Sequence, residues 1–453
     1  MWGRLGGHSI RQPCGEPAAA GDRGGRHLAS LAAIGYNLAM IRFLHTADWH
    51  IGQTLRGFAR EHEHTSAFES LVAIVSERAV DALVVAGDVF DSQNPSGEAQ
   101  RLFYDLLVRL HRARPSMTIV ITAGNHDAAG RLEAPRPLLD AIGVHIVGNV
   151  RRRDGTLDLG RHLVPVRKDG EVAAHVLAVS YPTASCLPGL AAGRGGVEAG
   201  SPIVRAVRDL YADLHEAARP SLAGLPLLVT GHLHVAGGLE SEGAERRILI
   251  GGEHAVPPDV FPEGSDYVAL GHLHRAQHVG RTSVRYCGSL IPLSATELPY
   301  RHGVSLVTVG DGPARVEHIP IPRPVAFLRV PESGEASLAD LGDRLAELGI
   351  DPACPVEDRP FLQIHLARAG LPAGYRAEVD RISEGYPVRV VDVRVAVPVA
   401  EAPDLIAEGV PLTRLSERDP EELFRLAFAR THGEAASPVH LDIFHRARAE
   451  ASA

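Results

Sequence analysis

Short apolar runs that each end in a polar segment are the feature that most constrains the fold of this chain. Residues 82–86 and 118–122 are apolar runs bounded by polar loops, which is typical of buried strands. Patterns with a helical period lie at residues 61–78 and 97–112, and Ser96 is a candidate N-cap for the second helix. Strands that alternate with helices predict an α/β fold, and the denser strands after residue 182 predict two stacked sheets with helices outside.

The chain divides into regions of different composition. Residues 1–39 hold eight glycines and little periodicity, so we expect a disordered or non-native extension before a first domain at 40–322. A Pro-rich stretch marks the end of that domain, and residues 323–398 alternate strand and helix as in a small α/β domain. Residues 399–453 are predicted to form an acidic linker and two short helices.

Composition excludes several classes of protein. The formal net charge is −9, from 46 basic and 55 acidic side chains. A protein that coats nucleic acid by charge alone would be basic, so any attraction to nucleic acid must be local or come from metal ions or a partner. No apolar run approaches the roughly 20 residues of a membrane span. The four cysteines are scattered without a CxxC pair, which is typical of a reducing, cytoplasmic location.

Five polar segments that directly follow predicted strands carry the functional argument. They are Asp48-Trp49-His50, Gly87-Asp88-Val89-Phe90-Asp91, Gly124-Asn125-His126-Asp127, Gly231-His232 and Gly271-His272-Leu273-His274. Loops at the carboxyl ends of strands are where α/β proteins hold ligands. Carboxylate, imidazole and amide groups favour manganese, iron, zinc or magnesium. Residues two apart in an extended loop point the same way, so Asp48 and His50 are expected to reach one site, as are His272 and His274.

Asp88 is the residue best suited to hold two metal ions together. Two ions about 3.5–4 Å apart can bind both the attacking and the leaving oxygen of an in-line phosphoryl displacement. A carboxylate that bridges the ions fixes this spacing. The sequence therefore predicts a site for phosphoryl chemistry with Asp88 at its middle.

The ordered pattern DxH…GDxxD…GNHD…GH…GHxH resembles that of the calcineurin-like metallophosphoesterase superfamily. More narrowly, the chain resembles the SbcD family, the nuclease subunits of bacterial SbcCD complexes, in stretches such as 43–52, 85–91, 230–233, 269–277 and 285–289. The resemblance covers about residues 40–322. It implies a four-layer α-β-β-α metallophosphoesterase sandwich with a small α/β cap domain and C-terminal helices.

The resemblance also implies roles for most of the polar residues of the five segments. One metal ion would be held by Asp48, His50, Asp88 and His274, and the other by Asp88, Asn125, His232 and His272. His126 would act beside the phosphate as a general acid or charge stabiliser, and the carboxylate of Asp91 would orient its ring. Two divalent ions are expected, with Mn²⁺ favoured and Mg²⁺ or Fe²⁺ as alternatives.

The function implied by the resemblance is a metal-dependent DNA nuclease, an exonuclease on double-stranded ends and an endonuclease on single-stranded or hairpin DNA. Such a subunit acts with an SbcC-type ATPase in DNA repair, recombination and replication. The family precedent is a homodimer of nuclease domains joined to two ATPase subunits. We expect the C-terminal helices, whose apolar stripe includes Phe424 and Phe428, to bind that ATPase.

Two other functions compete with a nuclease. A small-molecule phosphodiesterase or phosphoprotein phosphatase of the same superfamily is the main alternative, because a metal site alone does not define its substrate. A non-enzymatic assembly subunit is disfavoured, because every expected ligand is present in the sequence.

Several other polar residues are expected to have no part in the chemistry. His45 lies inside the first predicted strand and His234 is not at a metal position of the pattern, so both are expected to be structural. His62 and His64 are expected on the solvated face of a helix. Cys287 is expected to be a small buried residue at a turn.

Overall fold

The computed structural model describes residues 40–153, 156–187, 201–241, 255–396, 420–421, 424–425, 427–428 and 435–451. The expectations for residues 1–39 and for the acidic linker that begins at residue 399 lie outside these residues. The described residues form two compact units, divided between Val395 and Ala396. Among them, no helix is long and apolar enough to cross a membrane.

The strands and helices are named here in chain order. The strands are β1 (Ile41–Thr46), β2 (Thr54–Leu55), β3 (Phe58–Ala59), β4 (Ala82–Ala86), β5 (Thr118–Thr122), β6 (Val144–Val147), β7 (Arg152–Arg153), β8 (Thr156–Leu157), β9 (Leu163–Lys168), β10 (Glu171–Leu177), β11 (Leu227–His232), β12 (Tyr267–Gly271), β13 (Gln277–Val279), β14 (Arg281–Tyr286), β15 (Gly303–Gly310), β16 (Gly312–Pro320), β17 (Phe327–Val330), β18 (Phe361–Leu366) and β19 (Arg389–Val395). The helices are α1 (Glu61–Glu77), α2 (Gly97–Ala113), α3 (Ala129–Glu133), α4 (Arg136–Leu139), α5 (Leu159–His162), α6 (Pro202–Leu222), α7 (Leu341–Ala346), α8 (Tyr375–Ser383) and α9 (Pro438–Ala451).

The first main sheet has the strand order β16-β15-β1-β4-β5-β6. Strands β1, β4, β5 and β6 are parallel, and β15 joins β1 antiparallel. Every residue of β4 and β5 is buried, because helices cover one face of the sheet and a second sheet covers the other. Phe68 of α1 and Phe103 of α2 pack into the core on the helical face. The Ser96 hydroxyl caps α2 by accepting a hydrogen bond from the Ala99 N–H, as predicted.

The second main sheet has the order β13-β14-β12-β11-β10-β9 and is covered by α6. The two sheets pack face to face through a separate apolar layer, in which Phe43 and Val84 of the first sheet meet Val176 and Tyr267 of the second. The layers are therefore helix, sheet, sheet and helix, which confirms the predicted α-β-β-α sandwich.

A third, small parallel sheet, β17-β18-β19, lies with α7 and α8 beyond the Pro-rich stretch. It contacts the β2–β3 hairpin through an aromatic side chain, because Phe361 of β18 packs near Phe58. The Phe361 ring also lies against two guanidinium groups, 3.7 Å from that of Arg389 and 5.6 Å from that of Arg60. The Arg60 side chain is fully buried and forms an ion pair with Glu63.

In the C-terminal unit, the described residues between 420 and 428 are helical and pack on α9 through aromatic rings. Phe424 stacks on Phe444 with ring centroids 4.6 Å apart, and Phe428 lies 4.4 Å from His440. The predicted apolar stripe is therefore partly covered inside this unit. Helix α9 also exposes Val439 and Ile443, which are 66% and 52% accessible to solvent.

Candidate metal centre

All five polar segments come together at the carboxyl ends of neighbouring strands. Asp48, Asp88 and Asn125 follow β1, β4 and β5 within two or three residues, whereas His232 is the last residue of β11 and His272 follows β12. Strands of both sheets contribute, so the site lies across the two sheets. The predicted placement at strand ends is confirmed, since parallel strands bring their carboxyl ends to one edge.

At four of these residues the backbone is left-handed rather than extended. Asp48, His50 and Asp88 have φ of 52°, 46° and 51°, and His272 has φ of 103°. The prediction that Asp48 and His50 converge by alternation along an extended loop is therefore wrong in its mechanism. The conformation costs on the order of 1–3 kcal/mol for each residue, and the pairing of His50 N–H with the Asp88 carbonyl at 3.0 Å helps to hold it.

Two glycines let the loops approach one another. A Cβ atom at Gly87, where φ is +90°, would lie 2.2 Å from Nδ1 of His232. A Cβ at Gly124 would lie 2.1 Å from Oδ1 of Asp88. The glycines that open these segments are therefore required by close contact between loops as well as by turn geometry.

Asp48, His50 and His274 form the first cluster, with potential ligand atoms within 4.8 Å of one another. The Oδ1 atom of Asp48 accepts a hydrogen bond from the His272 main-chain N–H at 2.9 Å. The other carboxylate oxygen of Asp48 and Nε2 of His50 are buried, with no hydrogen-bond partner among the described residues. Unsatisfied buried polar atoms are rare, and a bound cation would satisfy both, so the donor set fits a metal ion.

Asp88 joins the first cluster to a second. Its Oδ2 atom lies 3.5 Å from Nε2 of His50 and 3.2 Å from Nε2 of His232, while its Oδ1 accepts a hydrogen bond from the His126 main-chain N–H. A single carboxylate oxygen thus faces both clusters. This is the geometry expected of a carboxylate shared by two ions.

The second cluster is built around His232 and Asn125. The Nδ1–H of His232 donates to the Ala86 carbonyl at 2.8 Å, so a neutral ring has its lone pair on Nε2. That atom lies 3.0 Å from Oδ1 of Asn125, which in turn lies 3.2 Å from Nδ1 of His272. The Asn125 oxygen therefore lies within hydrogen-bond distance of ring nitrogens of both histidines, and all three atoms are potential ligands of a cation.

The electrostatics of the cluster follow from burial and opposite charge. Burial alone would lower the pKa of His232, but the Asp88 carboxylate raises it to about 9. Burial acts to raise the pKa of Asp88, yet the neighbouring histidines, His232 first, bring that pKa well below its usual range. Burial lowers the pKa of His272, so its ring is neutral and offers a lone pair.

His126 lies beside the first cluster on the partly exposed side of the site. Its Nδ1–H donates to the main-chain carbonyl of Asp91 at 2.8 Å, and its ring centroid is 4.6 Å from that of His50. The Asp91 carboxylate itself lies 3.2 Å from Nδ1 of His50. The main chain of Asp91 thus holds Nδ1 of His126, and orientation of the ring by the Asp91 carboxylate stays a prediction.

Comparison with known proteins identifies the family. The sequence pattern of the calcineurin-like phosphoesterase family matches residues 41–276. The chain belongs to this family. The pattern of a second family, described as the Type 5 capsule protein repressor C-terminal domain, matches residues 322–432.

Three curated relatives are each named as the D subunit of the SbcCD nuclease. The relative from Rhodobacter capsulatus is 47% identical over 86% of this chain and 94% of its own length. The relative from Escherichia coli K12 is 32% identical over 86% of this chain and 93% of its own length. The relative from Bacillus subtilis is 35% identical over 60% of this chain and 67% of its own length. Within the calcineurin-like phosphoesterases, the chain is therefore an SbcD-family member, and its candidate ligands are those of a divalent-metal site.

Two acidic residues that support the site had no role predicted from the sequence. Buried Glu297 accepts a hydrogen bond from Nδ1–H of His274 at 2.8 Å, and its other oxygen accepts from the Leu293 N–H at 2.9 Å. The carboxylate of Asp127 accepts from the main-chain N–H groups of Val89, Phe90 and Gly124. Glu297 lies outside every motif, so no sequence signal pointed to it. Asp127 is the last residue of the GNHD segment, so its position in that motif was the sequence signal that could have identified it.

The Glu297→Gln variant should bind metal about 10–100-fold more weakly, as is typical when the carboxylate behind a ligating histidine is lost. An amide can still fill the space, but it no longer favours the Nδ1-protonated form of His274. Calorimetric titration of metal into the full-length variant measures the change in metal affinity. Glu317→Gln is the matched control, because Glu317 is an exposed acid that pairs with Arg78. Equal metal affinity in the two variants would show that Glu297 is not a positioning residue.

The structure places four other residues that were expected to have no part in the chemistry, and it contradicts the expected position of one of them, His64. His45 is buried beside Tyr267, burial lowers its pKa to about 3, and Cys287 is buried with its pKa raised. The expectation for His64 is wrong, because the residue is buried and its Nε2 lies 2.7 Å from the Trp49 carbonyl. His62 is half exposed, as expected of a solvated face, and pairs with Asp358.

Proposed function

We propose that this chain is the metal-dependent DNA nuclease subunit of an SbcCD-type complex. The observation that carries the proposal is the shared Asp88 oxygen between two clusters of buried ligands, in a chain 47% identical to a protein named as the D subunit of the SbcCD nuclease. Exonuclease cleavage of double-stranded ends and endonuclease cleavage of single-stranded or hairpin DNA are the expected reactions. We expect it to act in the cytoplasm, in DNA repair, recombination and replication.

The proposed ligands divide into two sets that share Asp88. The first set is Asp48, His50, Asp88 and His274, and the second is Asp88, Asn125, His232 and His272. We propose Mn²⁺ as the ion, with Mg²⁺ or Fe²⁺ as alternatives, because oxygen and imidazole ligands suit these metals. When bound, two such ions neutralise phosphate charge and activate water near neutral pH.

The chain's own residues position the substrate and move protons. The ligand Asn125 and the neighbouring His126 are partly exposed, whereas the remaining proposed ligands are buried, so a phosphodiester would approach from the side of Asn125 and His126. The hydrogen bond from Nδ1–H of His126 to the Asp91 carbonyl leaves Nε2 as the ring atom that exchanges a proton with the leaving oxygen. Asp48 and Asp88 orient the loops through their bonds to the His272 and His126 main-chain N–H groups.

We propose that residues 40–322 form the nuclease domain and that residues 323–398 form a cap that positions DNA. The cap is seated on the nuclease domain by Phe361, which lies against the Arg60 guanidinium and the Phe58 ring of that domain. Arg376 is exposed and suited to contact DNA, whereas Arg329 donates to the main-chain carbonyls of Glu332 and Gly334 and has a structural role.

We propose that residues 399–453 bind an SbcC-type ATPase, in an assembly of two nuclease and two ATPase subunits with a homodimer of nuclease domains. Because Phe424 and Phe428 contact aromatic rings of α9, the exposed pair Val439 and Ile443 is the better probe of docking. Val439→Asp with Ile443→Asp should abolish co-purification with the ATPase and leave cleavage of single-stranded DNA unchanged. Retained co-purification would contradict the docking role of this face.

The function is tested by choice of substrate. Purified full-length protein with Mn²⁺ should cleave single-stranded and hairpin DNA, and the ATPase partner with ATP should add cleavage of blunt double-stranded ends. Hydrolysis of bis-para-nitrophenyl phosphate without any cleavage of DNA would favour a small-molecule phosphodiesterase. Release of phosphate from a phosphoprotein alone would favour the phosphatase.

A further inference from the structure

A cleft lined by arginines lies next to the helix that follows the His126 loop. It has a volume of about 430 Å³, and the charged residues that line it are Glu133, Arg136, Asp140, Arg151 and Arg161. A second cleft of about 200 Å³ shares Arg136, Asp140 and Arg161 and continues along β6 and β9. Strands β6 and β9 are the edge strands of the two main sheets, so the arginine cleft runs along one edge of the sandwich.

One buried acid, Glu133, and one exposed acid, Asp140, form ion pairs with the arginines of the cleft. The Glu133 side chain is 6% exposed and accepts from the Gly148 N–H at 3.0 Å and from Arg151 at 2.5 Å. The Arg151 and Arg161 side chains are 47% and 34% exposed, so their outer faces are open to solvent. Asp140 pairs with Nε of Arg136 at 3.1 Å.

The arginine cleft has a surplus of positive charge and of donors. Three guanidinium groups face two carboxylates, which leaves one positive charge, and each guanidinium has five N–H donors. Nη1 of Arg136 is buried with no hydrogen-bond partner among the described residues. Over residues 128–162 the sequence has six arginines and four acidic residues, in a chain whose net charge is −9. The local excess of positive charge in this region would therefore attract an anion.

We propose that the arginine cleft binds a phosphodiester group of the DNA strand that is cut at the metal centre. The inference rests on the proposed nuclease function. Guanidinium groups are planar and bind phosphate with two parallel hydrogen bonds, which suits a row of them to a phosphate backbone. Glu133 is seven residues after His126, so their Cα atoms are at most about 25 Å apart. That span is about seven steps along one strand of B-DNA, so a single strand reaches both places.

The test uses Arg136→Gln with Arg161→Gln in the full-length protein. The matched control is Arg208→Gln with Arg219→Gln, which removes the same charge from two exposed, ion-paired arginines of α6. The probe is a 20-nucleotide single strand with phosphorothioate linkages, which keep the charge and resist hydrolysis. The cleft variant should bind it at least about 10-fold more weakly at low salt, with the log–log salt slope reduced by about 0.7 for each phosphate that the cleft no longer binds.

Hydrolysis of bis-para-nitrophenyl phosphate should be the same in wild type, cleft variant and control. Equal affinity for the strand and equal salt slope in wild type and cleft variant would overturn the proposal. A lowered melting temperature with unchanged affinity would also overturn it, because the ion pairs would then only stabilise α3 and α4. If the cleft variant fails to fold, Arg136→Lys with Arg161→Lys keeps the charge and should bind with an intermediate affinity. Wild-type protein that bound no strand at all would instead overturn the nuclease function itself.

Discussion

The Asp88→Ala variant should lose metal from both positions of the centre and lose about 10³-fold or more in phosphodiester hydrolysis. One oxygen of Asp88 faces both His50 and His232, so its removal takes a ligand from each proposed ion at once. Metal ions contribute several kcal/mol to stabilising the transition state, and each 1.36 kcal/mol is a factor of ten in rate. Metal content of the purified variant and its rate on bis-para-nitrophenyl phosphate measure the two effects.

A second variant separates loss of metal from loss of fold. Asp88→Asn keeps an oxygen that can accept from the His126 N–H, and asparagine tolerates the left-handed backbone at this position. Its melting temperature should stay near that of the metal-free wild type while its metal content falls. A variant that kept one tightly bound ion, with the other position empty, would contradict the bridging role of Asp88.

The architecture could be predicted because the main strands are short apolar runs with clear limits. Strands β4 and β5 have the predicted bounds, since both of their faces are buried and no polar residue interrupts them. The position of the site followed from the same fact, because polar residues just after buried strands have one edge of the sheet to occupy. Neither result required knowledge of side-chain contacts.

Contacts between loops could not be predicted in the same way. The left-handed conformation of Asp48 and His50 depends on pairing with the chain around Asp88, which local sequence does not specify. Glu297 contacts His274 across a separation of 23 residues, and Glu297 itself lies in no motif. The burial of His64 depends on where the Trp49 carbonyl lies. Each error concerns a residue whose partner is distant in sequence.

The apolar stripe of the C-terminal unit shows a related limit. Spacing at i and i+4 identifies an apolar face of a helix, but it does not say what covers that face. Phe424 and Phe428 contact Phe444 and His440 of α9, so the stripe has a partner inside the same unit. The periodicity of the sequence identified the apolar face correctly, but only the structure identified the residues that pack on it.

The His126→Ala variant should keep both metal ions and lose about 10²–10⁴-fold in cleavage, the usual contribution of a positioned general acid. The main chain of Asp91 holds Nδ1 of the ring, and the ring lies at the partly exposed side, where a leaving oxygen would pass. His234→Ala is the matched control, because the His234 ring lies 6.2 Å from that of His272 and pairs with Glu240 outside the proposed ligand sets.

Metal analysis distinguishes this role of His126 from that of a ligand. His126, His50 and Asp91 also have potential ligand atoms within 4.8 Å of one another, so a third arrangement of ligands is geometrically available. Loss of one equivalent of metal from the His126→Ala variant would assign His126 to the metal. Full metal content with lost cleavage, together with normal cleavage by His234→Ala, would leave proton transfer or charge stabilisation at the phosphate as the function of this ring, because every ligand of the two proposed sets would still be in place.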